Sequence, residues 1–330
     1  MKPSVKSLIR ITTAFVLLYW LVNSGRLQFS VFLSLGWSPT LVILLSAVGA
    51  TLFLGSIRWW LLLQSHQVQI PLAHALHLGF MGYFASIFVP GGLGVDAVRA
   101  YYLMSEKKYA AQKSLVLSSI IMDRVVGLYS LILIALTSAV LWKVFKGDVP
   151  ILNYLLGFSL MLLVGLSGVT AILCSKRIFQ HLSFLHRIEI LIKFAKAMQV
   201  YRHDYYTLSF AFLVSLTHYA LIILAAYCGF SLFEVTVDSL TLALTIPFIQ
   251  LARALPITPM GLGVSDTVGH EIFSAFSIGY GAEVVMLIRL AMITLSSLGA
   301  ISYFKTSHLR KQIIDSSFPQ TEKGEPSIDN

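Results

Sequence analysis

The stretch FVPGGLGVDAVRAYYL, residues 88–103, interrupts a chain that otherwise consists of long apolar segments. Its proline and three glycines break a helix, because proline lacks a backbone N–H and glycine loses the most conformational entropy on folding. Asp96 and Arg99 follow the break at once. Non-helical backbone and charges are tolerated within a membrane only inside the protein or beside a water-filled cavity. The stretch therefore predicts a broken helix beside a polar interior.

The composition predicts an all-α polytopic membrane protein. Of the 330 residues, 57% are hydrophobic and only 12% are charged, and the mean hydropathy is +0.80. A soluble domain carries about 25% charged residues. The net charge of +9 comes from basic residues in short loops, which is the positive-inside bias of a membrane protein. We therefore expect no nucleic-acid partner.

The sequence offers no catalytic or metal-binding pattern. It has no G-x-S-x-G, zinc or P-loop motif. Its two cysteines, Cys174 and Cys228, give neither a metal-ligand spacing nor a disulfide framework. We expect a protein that is not an enzyme and that uses no cofactor and no metal.

Six segments are long and apolar enough to span a bilayer of about 30 Å. They are residues 8–24, 38–63, 114–142, 150–174, 206–229 and 283–304. The basic loops place both termini in the cytoplasm of a bacterial or archaeal cell, with the chain in its cytoplasmic (plasma) membrane. We divide the chain into an integral-membrane domain, 1–305, and a cytoplasmic tail, 306–330, whose polar composition predicts disorder. Within the domain, segment 175–204 is basic and amphipathic; it is either a cytoplasmic helix on anionic headgroups or an ordinary positive loop.

Two further apolar regions, 71–104 and 237–278, contain a proline and glycines near their middles. Following the chain from a cytoplasmic amino terminus, the first region must begin and end on the inner side and the second on the outer side. Each region is therefore predicted to be a re-entrant hairpin that turns at its break. The two hairpins would enter the membrane from opposite faces.

The two breaks share a sequence motif, P-x-G-L-G-V, and lie in repeat segments 88–103 and 257–273. An acid follows each motif, Asp96 in the first and Asp266 in the second, and an arginine lies within the next long span, Arg124 and Arg289. Because the hairpins open to opposite sides, the repeat is inverted. Inverted repeats with paired broken helices are typical of transporters whose site lies where the breaks meet.

These features nominate a set of site residues. The guanidinium groups that would hold a phosphate are foremost Arg124 and Arg289, with Arg99 and Arg253 as further candidates. Each has a structural alternative: Arg124 and Arg289 could form ion pairs with other helices, Arg99 could pair with Asp96 three residues before it, and Arg253 could only mark the turn. Coupling or structural acids are Asp96, Asp123, Asp266 and Glu271, of which Asp96 and Asp266 could simply cap the restarted helices. The hinge and backbone N–H donors are Pro90, Gly91, Gly92, Gly94, Pro259, Gly261 and Gly263. His218 is expected to be structural, and Arg58-Trp59-Trp60 to form an interfacial belt.

The motifs VPGGLGVDAVR and TPMGLGVSD, together with MDRVVGLYSL (residues 122–131), resemble the integral-membrane domain of the lysylphosphatidylglycerol synthase/flippase family. The resemblance covers about residues 1–305. It implies movement of a phospholipid between leaflets; the separate soluble domain that performs aminoacyl transfer in bifunctional members has no counterpart in this sequence. Met260 departs from the family pattern, since it stands where the first motif has Gly91.

We therefore expect a lipid translocase that moves a phosphate-bearing lipid through a polar cavity at the midplane. The partners would be a phospholipid or a polyprenyl-phosphate-type lipid and the anionic membrane surface. Two alternatives stay open: a membrane-embedded enzyme of lipid or lipid-linked sugar metabolism, and a transporter of a small soluble anion. The identity of the lipid and the oligomeric state stay open as well.

Overall fold

The computed structural model describes residues 16, 19–20, 22–23, 36–66, 68–89, 91–175 and 189–297. Several sequence predictions lie wholly or partly outside these residues. They are Pro90, most of the first predicted span, residues 176–188 of the amphipathic segment, the end of the last span and the tail.

The described residues form an all-helical membrane protein. The helices are α1 (Pro39–Gln64), α2 (Leu72–Ala85), α3 (Leu93–Ser105), a 3-10 helix (Lys107–Gln112), α4 (Lys113–Lys146), α5 (Pro150–Cys174), α6 (Glu189–Tyr201), α7 (Tyr205–Leu232), α8 (Ser239–Ala254), α9 (Val264–Ala275) and α10 (281–297). Four of them, α1, α4, α5 and α7, are long and apolar enough to cross a membrane. The polytopic membrane fold predicted from composition is confirmed.

Local sequence signals set where these helices begin. The Ser38 hydroxyl accepts a hydrogen bond from the backbone N–H of Leu41 (3.2 Å), and Pro39 occupies the first turn of α1. The Asp238 carboxylate accepts the N–H of Thr241 (3.1 Å) at the start of α8. Such side chains satisfy donors that the first turn of a helix leaves unpaired.

Each interrupted region folds as two helices with a break between them. In the first region α2 and α3 pack so closely that a Cβ atom on Gly82 would lie 2.6 Å from the Cα of Val95. A Cβ on Gly94 would likewise lie 2.6 Å from the Cα of Ser86. Only glycine permits this approach, so the motif glycines bring the two helices of the hairpin together.

The open ends of the two hairpins lie at opposite ends of α4, a helix about 51 Å long at 1.5 Å per residue. The start of α8 contacts the carboxyl-terminal end of α4, where the Trp142 indole N–H donates to the Thr241 hydroxyl (3.1 Å). The last residue of α3's buried face, Leu103, packs with Val116 near the amino-terminal end of α4. An inverted repeat requires this arrangement; the membrane face from which each hairpin enters stays a prediction.

The core is built around the second hairpin and the centre of the bundle. Its largest apolar cluster joins side chains of α1, α7, α8, α9 and α10. Helix α5 lies at the periphery, because only Leu152, Leu155, Ser159 and Leu173 of its 25 residues are buried. A peripheral membrane helix that is apolar all round faces lipid.

Candidate functional site

The two breaks contact each other through their backbones. A Cβ atom on Gly91 would lie 2.9 Å from the Cα of Pro256 and 3.0 Å from the carbonyl oxygen of Ala254. Gly91 also has a φ of +63°, in the left-handed region that favours glycine. The first hairpin therefore touches the second, backbone against backbone, at a position where a larger residue does not fit.

The equivalent position of the second break carries the same backbone conformation without glycine. Met260 stands in the place of Gly91 and has a φ of +49°. A non-glycine residue in this region costs about 1 kcal/mol or more. The Met260 side chain is buried and lines the cavity described below. Its apolar contacts offset the backbone cost, which explains how the motif tolerates methionine here.

A cavity of about 240 Å³ lies beside this contact. Its walls come from α1, α2, α3, α4, α7, α8 and α10, and include backbone of both breaks. The ionisable lining is dominated by four arginines and two aspartates: Arg58, Arg99, Arg124, Arg253, Asp96 and Asp123. Tyr83, Tyr219, Gln250 and His218 add neutral polar groups. The cavity thus holds a cluster of polar, positively biased groups within a mostly apolar wall, and this cluster is of the type that the broken helix predicts.

Asp123 neutralises part of this charge from α4. Its Oδ1 lies 2.6 Å from the Nε of Arg58 and its Oδ2 lies 3.2 Å from the Nη1 of Arg99. Arg99 is almost completely buried; its guanidinium stacks on the Trp59 ring at 4.5 Å and donates to the Gly55 carbonyl at 3.1 Å. One carboxylate is thus shared by two arginines, which leaves one positive charge in excess.

Asp96 forms the second ion pair of the cavity. Its Oδ2 lies 2.8 Å from the Nε of Arg124, and the Arg124 Nη2 donates to the carbonyl of Gly92 at 2.9 Å. The Arg124 side chain is 35% exposed and that of Asp96 19%, so this pair is accessible from the cavity. The sequence suggested Arg99 as the partner of Asp96, and the structure instead pairs Arg99 with Asp123.

Arg253 has no carboxylate partner among the residues that the structure describes. Its Nη1 lies 2.9 Å from the sulfur of Met292, which is a weak acceptor. It occupies the last turn of α8, where a positive charge interacts favourably with the helix dipole. The side chain is half-buried and lines the cavity. Arg253 is therefore a cation with its hydrogen-bonding capacity largely unused.

Arg289 and Asp266 form a closed pair that does not line this cavity. The Arg289 Nη1 lies 2.7 Å from Oδ1 and 2.6 Å from Oδ2 of Asp266, and its Nη2 donates to the Ser265 hydroxyl. Asp266 also accepts the backbone N–H of Gly263 at 2.8 Å, so it caps α9. The structure thus does not bring Arg289 together with Arg124. The start of α9 already holds an anion, its own aspartate.

Both halves nevertheless repeat one ion pair. In each half, an aspartate in the first turn after the break pairs with an arginine in the following long helix, Asp96 with Arg124 and Asp266 with Arg289. The two pairs differ in exposure, since Asp266 and Arg289 are completely or almost completely buried. The recurrence supports the repeat that the motif suggested.

Two sequence expectations fail in this region. Trp59 is fully buried and donates to the Ser119 hydroxyl (3.1 Å), and Arg58 lines the cavity, so the predicted interfacial belt is wrong for both residues. Glu271 is exposed on α9 and does not line the cavity. Sequence reasoning also missed Tyr83 and Gln250. The signal for Arg58 in the sequence was a charge five residues before the end of predicted span 38–63, and this position also fits a membrane interface.

The described part of the chain holds no group of three or more His, Cys, Asp or Glu side chains able to bind a metal ion. His218, which the sequence marked as structural, contacts the Thr51 carbonyl through Nδ1 at 3.1 Å. The chemistry of the site is therefore that of guanidinium, carboxylate, hydroxyl and amide groups. Such a set binds and orients an anion through charge-assisted hydrogen bonds.

Comparison with known proteins identifies the family of the chain. Searches of curated proteins and of solved structures give no match. The model of one family, described as the lysylphosphatidylglycerol synthase TM region, matches residues 7–298 and so includes both breaks, the cavity and both repeated ion pairs. This chain belongs to the family of lysylphosphatidylglycerol synthase transmembrane regions.

Proposed function

We propose that the protein is a translocase that moves a phosphate-bearing lipid between the leaflets of the membrane. The observation that carries the proposal is the arginine-rich cavity where the two breaks meet. Family membership ties the chain to membrane lipids, and the cavity adds the preference for an anion. The protein acts by binding and moving its substrate and not by changing it.

The cavity volume sets what part of a lipid enters. At about 240 Å³ it lies below the 300–1,000 Å³ typical of pockets that enclose a drug-sized ligand. A headgroup fits such a space, while the hydrocarbon chains stay in the bilayer. Arg124 is the first contact, because its guanidinium is partly exposed and its planar fork matches phosphate oxygens. An arriving phosphate exchanges with Asp96 for this guanidinium.

Movement of the headgroup past the midplane requires the two breaks to separate. Gly91 meets the Ala254–Pro256 backbone at this point, with no long side chain between them. The residues around the contact change their backbone angles when the hairpins shift, as hinge residues do in other transport proteins. The two breaks thus line the binding site, and their separation opens the path across the membrane.

Reconstitution tests this function directly. Liposomes that contain the protein and acyl-labelled fluorescent phosphatidylglycerol are treated with dithionite, which quenches only the outer leaflet. We expect dithionite to quench all of the lipid fluorescence in liposomes with wild type and about half of it in liposomes with Arg124→Glu. With Arg124→Lys, the inner-leaflet lipid should become quenched at an intermediate rate. Arg202→Gln is the matched control, because Arg202 is exposed and outside the cavity.

The outcome distinguishes the proposal from its rivals. The proposal is contradicted if the lipid fluorescence is quenched no faster with wild type than in protein-free liposomes. It is also contradicted if a folded Arg124→Glu variant moves lipid at the wild-type rate. Lipid recovered in a chemically altered form would identify an enzyme. Uptake of labelled inorganic phosphate without lipid movement would identify a transporter of a soluble anion.

We propose further that the hairpins are re-entrant and enter from opposite faces of the cytoplasmic membrane, with both termini inside. Single cysteines at Ser105 and Ser277, in a chain lacking Cys174 and Cys228, report the two open ends. A membrane-impermeant maleimide added to intact cells should label position 277 and spare position 105. Equal labelling of both positions contradicts this topology.

A further inference from the structure

The charge of the cavity is unbalanced in a way that points to the headgroup. Four arginines and two aspartates line it, which gives 4 − 2 = +2 with His218 neutral. The His218 contact with the Thr51 carbonyl places a proton on Nδ1 and is satisfied by the neutral ring. Uncompensated charge within a membrane protein is costly, so this excess indicates a ligand that supplies negative charge.

We propose that the cavity binds a lipid headgroup that ends in a phosphomonoester, with two negative charges. This inference rests on the proposed translocation and names its substrate class. A phosphomonoester carries close to two negative charges above its second pKa of about 6. It therefore balances the excess of two, whereas a phosphodiester with one negative charge leaves one arginine unpaired.

The two surplus charges have definite places in the structure. One belongs to Arg253, whose guanidinium contacts the sulfur of Met292 and has no carboxylate partner among the described residues. The other arises where Arg58 and Arg99 share the single carboxylate of Asp123. A terminal phosphate has more free oxygens than a phosphodiester, and these can accept from more than one guanidinium at once.

Arg253 and Arg124 stand on the two sides of the contact between the breaks. Arg124 donates to the carbonyl of Gly92, and Arg253 directly precedes Ala254, whose carbonyl oxygen lies 3.0 Å from a Cβ position on Gly91. A phosphate bound where the two breaks touch contacts one arginine from each half of the repeat. Arg253 therefore determines specificity for the dianion, while Arg124 serves any phosphate.

The same charge excludes a cationic headgroup. A lysyl ester of phosphatidylglycerol adds two ammonium groups to one phosphodiester and carries a net positive charge. A cavity with an excess of +2 repels it, and like-charge contact in a site of low dielectric costs several kcal/mol. We infer that this chain does not accept the aminoacylated lipid from which its family takes its name.

The test compares three labelled lipids in proteoliposomes at pH 8 with the dithionite assay. They are phosphatidic acid, phosphatidylglycerol and lysyl-phosphatidylglycerol, each with the same acyl label, and protein-free liposomes give the spontaneous rate. We expect phosphatidic acid to cross at least tenfold faster than phosphatidylglycerol, and the lysyl ester at the spontaneous rate. Labelled inorganic phosphate, in a parallel uptake assay, shows whether a free phosphate is carried.

Variants assign the preference to Arg253. Arg253→Gln should lower the preference for phosphatidic acid over phosphatidylglycerol about tenfold, because phosphatidic acid loses the stronger contact and a lost charge-assisted hydrogen bond corresponds to about a tenfold change. Arg253→Lys should restore most of the preference, which a purely structural role for the residue does not predict. Arg202→Gln is again the control.

Failure of the two proposals looks different. If none of the three lipids crosses faster than in protein-free liposomes, the translocase proposal fails. If the lipids cross at equal enhanced rates, or the lysyl ester crosses fastest, translocation stands and the dianion proposal is overturned. If only inorganic phosphate enters, the site binds a phosphate group but transports it as a free ion and not as part of a lipid. Both lipid proposals are then overturned.

Discussion

Replacing Arg289 with methionine should destabilise the protein strongly, because it strands a buried carboxylate. Asp266 is completely buried and Arg289 almost so, with the guanidinium 2.6 and 2.7 Å from the two carboxylate oxygens. Direct attraction at 2.6 Å is about 6 kcal/mol at an effective dielectric of 20. After the variant loses it, the backbone N–H of Gly263 is the donor that still reaches the Asp266 carboxylate. Breaking such a pair costs about 3–5 kcal/mol.

A thiol-reactive fluorogenic dye measures this loss in detergent, because Cys228 is buried and becomes reactive only on unfolding. We expect Arg289→Met to lower the apparent melting temperature by about 10 °C, at about 2–4 °C per kcal/mol. The double variant Asp266→Asn/Arg289→Met should recover most of the difference, because no buried charge remains and the asparagine oxygen can still accept from Gly263.

Arg124→Met is the matched control in the other half of the repeat. Its pair with Asp96 is 35% and 19% exposed, so water replaces part of the lost interaction and the fall in melting temperature should be clearly smaller. A melting temperature for Arg289→Met within 2 °C of wild type would refute the reasoning. A double variant that is stable but does not transport would indicate that Arg289 belongs to the substrate site, as the sequence first suggested.

Three further changes test the packing and the charges. Gly91→Ala should destabilise the protein and stop transport, because the new Cβ meets backbone at 2.9 Å. Its control is Gly157→Ala, which has open space around it and should leave the stability unchanged or raise it by up to about 1 kcal/mol. Thermal unfolding compares the stability of the two variants. Asp123→Asn should lower stability by about 3 kcal/mol, measured by the same unfolding assay, since two arginines lose their carboxylate. Burial raises the pKa of Asp238, but the hydrogen bond and charge of Lys146 outweigh it and the pKa lies below its ordinary value. The stability that this pair contributes is therefore present above about pH 4 and is lost as the pH falls through the folded pKa; it amounts to less than about 1 kcal/mol. Unfolding measured at several pH values should show this loss of stability in wild type and not in Asp238→Asn.

The sequence predicted the helix breaks well because their cause is local. A proline and glycines interrupt a helix whatever surrounds them, and apolar runs of span length leave few alternatives in a membrane. The repeat also led us to expect that the two breaks would meet, and Gly91 of the first break does lie against Ala254 and Pro256 of the second. These inferences need no knowledge of side-chain packing.

The partners of the charges could not be predicted in the same way. Asp96 and Arg99 are three residues apart on one helix and were natural partners. Tertiary packing overrides this proximity, since Arg99 turns to Asp123 and Trp59 while Asp96 takes Arg124. Arg58 shows the same limit: hydropathy gives the depth of a residue along a span, and says nothing of whether its face meets lipid or protein.

The two repeated ion pairs differ in exposure, and this difference favours separate roles for the two halves. In the second half, Asp266 caps its own helix and holds Arg289 in a dry interior, so this pair fixes the fold of the hairpin. In the first half, the same pair opens to the cavity and can exchange its partner for a ligand. Because a buried pair resists exchange and an exposed pair allows it, one hairpin can stay rigid while the other responds to substrate. In the proposed translocase, Arg253 on the second hairpin would then give the headgroup a fixed point of attachment.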